Sequence, residues 1–532
     1  MSPDPKPIIY QLVVRYFGNT NPTRAFAGTL AENGSGKFAD VSDAALASIK
    51  ALGATHVWLT GCHRQATLTD WSSIGLPPDD PDVVKGVAGS FYAIRDYFDV
   101  CPDYAVNPND RLAEFDAMIA RVHAAGMKAI IDFVPNHVAR GYESVVRPDL
   151  QFGVGDDTGV FFSPQNHFFY VADGTRDPLR LTRPAHWNPP GYVFDGLYPR
   201  EDGSPERPVK VTGNNVRQTR LGPDPWYETI KVNYGYDFES RTGHYTPRPR
   251  TWDVMDSVFA YWQQRGVDGF RCDFAHYVPA EAWQFLVDGI HRRDPNAYVF
   301  AEAYPWEGSG DPIVRREQLI ESGFDAVYND HTYHILKSIY LGRSSQDDYH
   351  HALTSVGGPA RRQMVQYLEN HDERRIASPV NPAAGWAGDS GFGTADAGYL
   401  LAPLQYLATP GPVLMLNGQE IGEPGADAEG YSGRDGRTGL FDYWSMPEFV
   451  KWVNGHAYDG GGLADWQRTL PRVLRQAVRT LSARIGHGGR LLGPEVFEPP
   501  GPLRRLPGLV LHLRPIRRRR PKDAAGRRQL RP

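Results

Sequence analysis

Cysteine is scarce in this chain of 532 residues: Cys62, Cys101 and Cys272 are too few and too scattered for a disulfide framework or a zinc site. That scarcity suits a reducing compartment, and the opening MSPDPKPIIYQL lacks the basic and apolar regions of a secretory signal. The expected location is therefore cytoplasmic. No uninterrupted apolar run is long enough to span a membrane, because the most apolar window, Tyr399 to Gly418, contains Pro403, Pro410 and Pro412 together with Gln405 and Asn417. No membrane partner is expected. A glycine-rich fingerprint after the first apolar run is also missing, which counts against an open doubly wound nucleotide-binding sheet.

Charge of one sign is not in excess overall, at −5, but it is unevenly placed. Ala464 to Pro532 holds 16 Arg and one Lys against four acids, net +13, so the first 463 residues carry −18. An acidic body argues against nucleic acid as the main partner. The sequence does not fix the oligomeric state.

What is present is a rhythm. Eight β-rich apolar runs, each followed by a helical pattern, begin at Ile8, Ala54, Met127, Asp268, Ala297, Phe324, Arg361 and Pro412. Alternating strands and helices imply parallel pairing with right-handed crossovers, and eight such units predict a closed (β/α)8 barrel. Helices are expected over Val41–Leu52, Asn109–Ala125 and Trp252–Arg265, stopped by Gly53, Gly126 and Gly266. Residues 138–233 break the rhythm with Gly, Pro, Asn and aromatics, and are too long for a loop. The expected organisation is a barrel from 1–137 and 234–463, an inserted domain over 138–233, and an atypical C-terminal region over 464–532.

Polar residues gather at the C-terminal ends of these runs, where active sites of such barrels lie. In GVDGFRCDFAH, Gly266 to His276, alternation places Arg271 and Asp273 on one face and Phe270 and Cys272 on the other. An arginine beside that aspartate is expected to keep it ionised. Asp132, Asn136 and His137 end the third run, Glu302 the fifth, and Asn370, His371 and Asp372 the seventh. A closed barrel brings these ends to one cavity.

These stretches resemble the signature regions of the α-amylase family of glycoside hydrolases. DFVPNH (132–137), GFRCDFAH (269–276), FAEAY (300–304) and ENHD (369–372) stand in the family's order, preceded by GSFYAIRDYFDV (89–100). The resemblance spans Ile8 to about Trp452 and implies a (β/α)8 barrel with a domain B after the third strand and an antiparallel β domain C. It implies retaining cleavage of α-glucosidic bonds in starch-like glucans or oligosaccharides, with Asp273 as nucleophile, Glu302 as acid/base and Asp372 as third carboxylate. A retaining glycosidase needs such a pair, one carboxylate to attack and one acid to protonate the leaving oxygen. The resemblance further implies that His137, His371 and Arg271 hold the sugar and that Tyr92 stacks on it; His276 is a substrate-contact candidate that departs from the family, standing where many starch-cleaving members have a lysine or another residue that helps grip the next sugar, which leaves the exact substrate open. Asp132 and Asn370 are expected to support the site.

Asn136 matches the family's calcium ligand, but Lys231 in TIKVNYG stands where a second ligand, an aspartate, would be. One asparagine is a poor site for an ion needing about six to eight oxygens, so no cofactor and no obligatory calcium are expected. Transglucosylases, isomerases and α-glucosidases share the catalytic set and remain open alternatives, as does a noncatalytic binding relative. For the tail two readings stand: a basic arm for polyanions, or a slipped reading frame near residue 464, where Val473 to Ala477 reads as an off-frame version of a last-helix sequence. The second is favoured.

Overall fold

All eight apolar runs contain a strand, and all eight strands pair in parallel. In the computed structural model they are β1 (Ile8–Val13), β2 (His56–Thr60), β3 (Lys128–Phe133), β4 (Gly269–Cys272), β5 (Tyr298–Ala301), β6 (Ala326–Tyr328), β7 (Met364–Val365) and β8 (Val413–Leu416). The sheet runs β7-β6-β5-β4-β3-β2-β1-β8. A parallel bridge from Gln366 to Val413 joins its ends, with Gln366 N donating to Pro412 O at 2.8 Å and Leu414 N to Gln366 O at 2.9 Å. The sheet is thus a closed (β/α)8 barrel. The structure describes residues 6–171, 177–199, 205–304, 313–355, 360–381, 383, 390–407, 409–425 and 430–485.

Period-2 alternation along each strand divides the side chains. Ile9, Trp58, Ile130, Phe300, Tyr328, Val365 and Leu414 fill the barrel interior, and their outward neighbours pack under the helices. Those helices include α1 (Asp43–Ala51), α2 (Arg111–Ala124), α3 (Arg250–Gln264), α4 (Ala280–Arg293), α5 (Arg316–Glu321), α6 (Asp330–Tyr340), α7 (Ala397–Leu407) and α8 (Asp465–Ile485). Ser42 caps α1 by accepting from Ala45 N, and Gly53 beyond it takes the left-handed φ of 100° that ends a helix cleanly. None of the helices among the described residues is long and apolar enough to cross a membrane.

Between β3 and β4 the chain forms short pairings in place of a long helix. His137–Ala139 pairs antiparallel with Thr229–Lys231, Arg180–Leu181 pairs with Arg220–Leu221, and Phe169, Val171, Leu179, Val211 and Tyr227 form an apolar cluster of their own. At the other end α8 packs on α7 through buried Leu470 and Leu474. One compact unit runs to His487, so the first part of the basic C-terminal region is barrel helix. Residues 486–532, where the expected domain C and most of the arginine-rich tail fall, lie outside the described residues.

Candidate active site

Two strand ends set the height of the central carboxyls. Gly269 lets β4 approach β5 closely, since a Cβ there would lie 2.1 Å from the Tyr298 carbonyl oxygen. Phe270 turns outward onto Phe259, ring centroids 4.7 Å apart, so Arg271 turns inward. The ladder then runs one step beyond the strands: Asp273 N donates to Phe133 O at 2.8 Å and Glu302 N to Cys272 O at 2.9 Å. Phe274 follows in the left-handed region, φ 47° and ψ 38°, a strained conformation for a bulky residue. That turn aims its amide at Glu302 Oε2, 2.9 Å away.

Arg271 is fully buried and ties the acids together. Its Nη1 donates to Asp273 Oδ1 at 2.5 Å and to Asp132 Oδ1 at 3.5 Å, while Nη2 lies 3.0 Å from Glu302 Oε2. Asp132 in turn accepts from Gly61 N at 3.0 Å, which places it as a support of the site. Burial and the nearby Glu302 carboxylate push the Asp273 carboxyl well above its ordinary value, and Arg271 only partly offsets them. Arg271, Asp132, Asp273 and Glu302 thus form one buried charge cluster.

The third carboxylate arrives on the loop after β7. Asn370 Oδ1 accepts from the amides of Asp372 and Glu373 at 2.9 and 3.0 Å, forming the turn that presents Asp372. About a third of the Asp372 side chain is exposed, against 8% for Asp273 and 3% for Glu302, so it faces the mouth. Burial alone would raise its pKa. The His371 imidazole at 3.0 Å, with Arg271 and Arg437, instead holds it below the usual carboxylate range.

His371 is fixed on both nitrogens. Gln11 Nε2, a donor only, lies 2.8 Å from Nδ1, the arrangement of the tautomer in which Nδ1 accepts and Nε2 carries the proton. Nε2 meets Tyr92 OH at 2.6 Å and Asp372. The Tyr92 ring stacks on His371, centroids 5.2 Å apart, and remains partly exposed toward the cavity. His137 lies beside the Tyr92 backbone, edge-on to Trp226 at 5.3 Å, and burial beside Lys231 lowers its pKa to about 3, so the ring is neutral.

His276 is 2% exposed, as buried as His137, and packs against Phe274 and Tyr277, centroids 4.9 and 4.6 Å away, beside the Glu302 backbone. Phe274 and Trp226, both partly exposed, meet edge to face at 5.1 Å. Asn136 is buried, its Nδ2 donating to Gly213 O at 2.9 Å and its Oδ1 accepting from the Lys231 ammonium. Lys231 is itself buried against the rings of Tyr277 and Phe238, and burial lowers its pKa to about 7.

Asp132, Asn370, Arg271, Asp273, Glu302, His371, Asp372 and Tyr92 thus form one contiguous network, with His137 facing it. Gln11, Tyr304 and Trp226 were not singled out from the sequence. Gln11 had a readable signal, as a polar residue on the inward face of β1, and Tyr304 had one in standing two residues after Glu302; Trp226 lies where only the fold brings it.

The chain matches the alpha-amylase catalytic-domain family over residues 11–302. It is 25% identical over 415 residues to the alpha-amylase of Streptomyces lividans, covering 74% of this chain and 40% of that protein. It is 29% identical over 199 residues to Maltase 1 of Drosophila virilis, covering 35% of this chain and 23% of that one. The chain thus spans less than half the length of these two curated relatives. Among solved structures, an alpha-amylase from Lactobacillus plantarum superposes with a TM-score of 0.52 at 20% identity, covering 89% of this chain and 80% of that one.

Proposed function

The chain belongs to the alpha-amylase family, and from that premise we propose that it is a retaining enzyme acting on α-glucosidic bonds of starch-like glucans or maltooligosaccharides. Asp273 attacks the anomeric carbon and forms a glucosyl ester. The bond to the leaving oxygen breaks with its electron pair on that oxygen, which takes the proton of Glu302. Water then attacks the anomeric carbon, the ester breaks, and the water proton returns to Glu302. Asp372, with His371 and His137, would hold ring hydroxyls, and Tyr92 would stack on the sugar.

The observation that carries this reading is the single Arg271 guanidinium in contact with both Asp273 and Glu302. Such bridging favours the close spacing of a retaining pair, roughly 5 Å, over the wider gap that an inverting enzyme keeps for water. Following the anomer first released from a maltooligosaccharide by NMR tests it. The α-anomer is expected, and initial release of the β-anomer would overturn the reading.

Transfer to a second sugar is the alternative reading, and the apolar edge of Trp226 and Phe274 supports it, since sugars stack on aromatic faces. Products longer than the starting oligosaccharide would identify it. Neither version needs calcium at Asn136. A cation there would face the Lys231 ammonium already paired with Asn136 Oδ1.

A further inference from the structure

The two oxygens of Glu302 have different partners. Oε2 lies 3.0 Å from Arg271 Nη2 and accepts from the Phe274 amide at 2.9 Å. Both partners can only donate, and one carries a fixed positive charge, so Oε2 stays unprotonated whether the carboxyl is acid or anion. When Glu302 serves as the acid, its proton is on Oε1. Oε1 is paired with the phenol of Tyr304 at 2.8 Å, and a phenol can accept or donate.

Tyr304 is well placed for this pairing. It stands two residues beyond Glu302 on the segment leaving β5, with its ring edge-on to buried His276 at 6.1 Å. Burial, with the Glu302 carboxylate beside it, raises the phenol far above its ordinary value, so it keeps its proton throughout the working range.

We infer that Tyr304 is a positioning residue for the acid/base, whose hydroxyl donates to Glu302 Oε1 as that oxygen gives up its proton. This rests on Glu302 being the acid/base, as proposed above. In the reacting complex the Oε1 proton passes to the glycosidic oxygen, which leaves with the bonding pair, and Oε1 becomes the anionic end of the carboxylate. Tyr304 then makes a hydrogen bond to an ionised acceptor, roughly twice as strong as to a neutral one. The interaction grows along the reaction path and so favours the transition state over the bound substrate. A substrate whose leaving group departs without a proton gains nothing from it.

The experiment compares the full chain with Tyr304→Phe on a maltooligosaccharide and on α-glucosyl fluoride, which needs no proton to depart. The expected result is a fall of about tenfold in kcat/KM on the oligosaccharide, within the range that acid catalysis supplies, and less than about threefold on the fluoride. The alkaline limb of the oligosaccharide pH profile should move upward, because an acid deprived of its donor holds its proton longer. Replacement of Tyr304 by 3-fluorotyrosine, a stronger donor of nearly the same size, should move that limb downward and guards against misfolding of the phenylalanine variant. Equal losses on both substrates, or no change on either, would overturn the inference. A wild-type chain inert on both substrates would instead overturn the proposed function.

Discussion

The side-chain amino group of Lys231 donates to Oδ1 of Asn136 from the strand that pairs with His137–Ala139. This contact ties the segment before β4 to the end of β3 with a group the chain supplies itself. Treatment with a chelator is therefore expected to leave both activity and melting temperature unchanged. A loss restored by added calcium would show that the lysine does not take the ion's place.

The same lysine makes a prediction about stability. Its folded pKa, about 7, is below the unfolded value of about 10.5, so between those values the unfolded chain binds one more proton. Stability carried by Lys231 therefore rises with pH across that window, and the charge penalty is full below it. Relative to Lys231→Met, the wild type should gain about 1.4 kcal/mol per pH unit between pH 7 and 10. Urea unfolding of both proteins at pH 7 and 9 measures the gap. A constant gap would mean that the amine is not held neutral.

Asp273 must be ionised to attack, yet burial and the Glu302 carboxylate push its carboxyl up. Activity is expected to fall on the acid side at a pH above the ordinary carboxylate range of about 4. Glu302→Gln removes one negative neighbour and should move that limb downward. Assay of the variant on α-glucosyl fluoride avoids its missing acid. A limb that stays in place would show that the two carboxyls do not titrate together.

Gln11 reaches the sugar only through His371, accepted at Nδ1 at 2.8 Å. Gln11→Leu removes the donor that fixes the imidazole proton on Nε2, and should cost about 1 kcal/mol of substrate interaction, roughly fivefold in kcat/KM. Steady-state kinetics beside a melting curve would separate this from a packing defect. Unchanged kcat/KM would show that the ring holds its tautomer without Gln11.

The barrel was legible because its signal is local: each strand alternates inward and outward residues, and the polar residue at its end needs no tertiary information to be seen. Asp273, Glu302 and Asp372 stood out for that reason. The left-handed turn at Phe274, which sets the course of the chain toward His276, was not legible in the sequence. The charge surroundings of Asp273 were also hidden. A sequence shows one arginine two residues away, whereas the fold brings Asp132 and Glu302 to that same guanidinium. Trp226 gains meaning only from neighbours distant in sequence, His137 and Phe274.

The ladders around the barrel are uneven. Four or five residue pairs join each neighbour from β8 through β1, β2, β3 and β4 to β5. Only two pairs join β5 to β6 and β6 to β7, and a single bridge closes β7 on β8. Asp273 and Glu302 ride on the firm arc, and Asp372 rides on the soft one. Breathing of the barrel, with early amide exchange at Gln366 and Leu414, would loosen the grip on sugar hydroxyls first while the nucleophile and acid keep their alignment. Mild heating should therefore erode substrate affinity before it erodes bond cleavage.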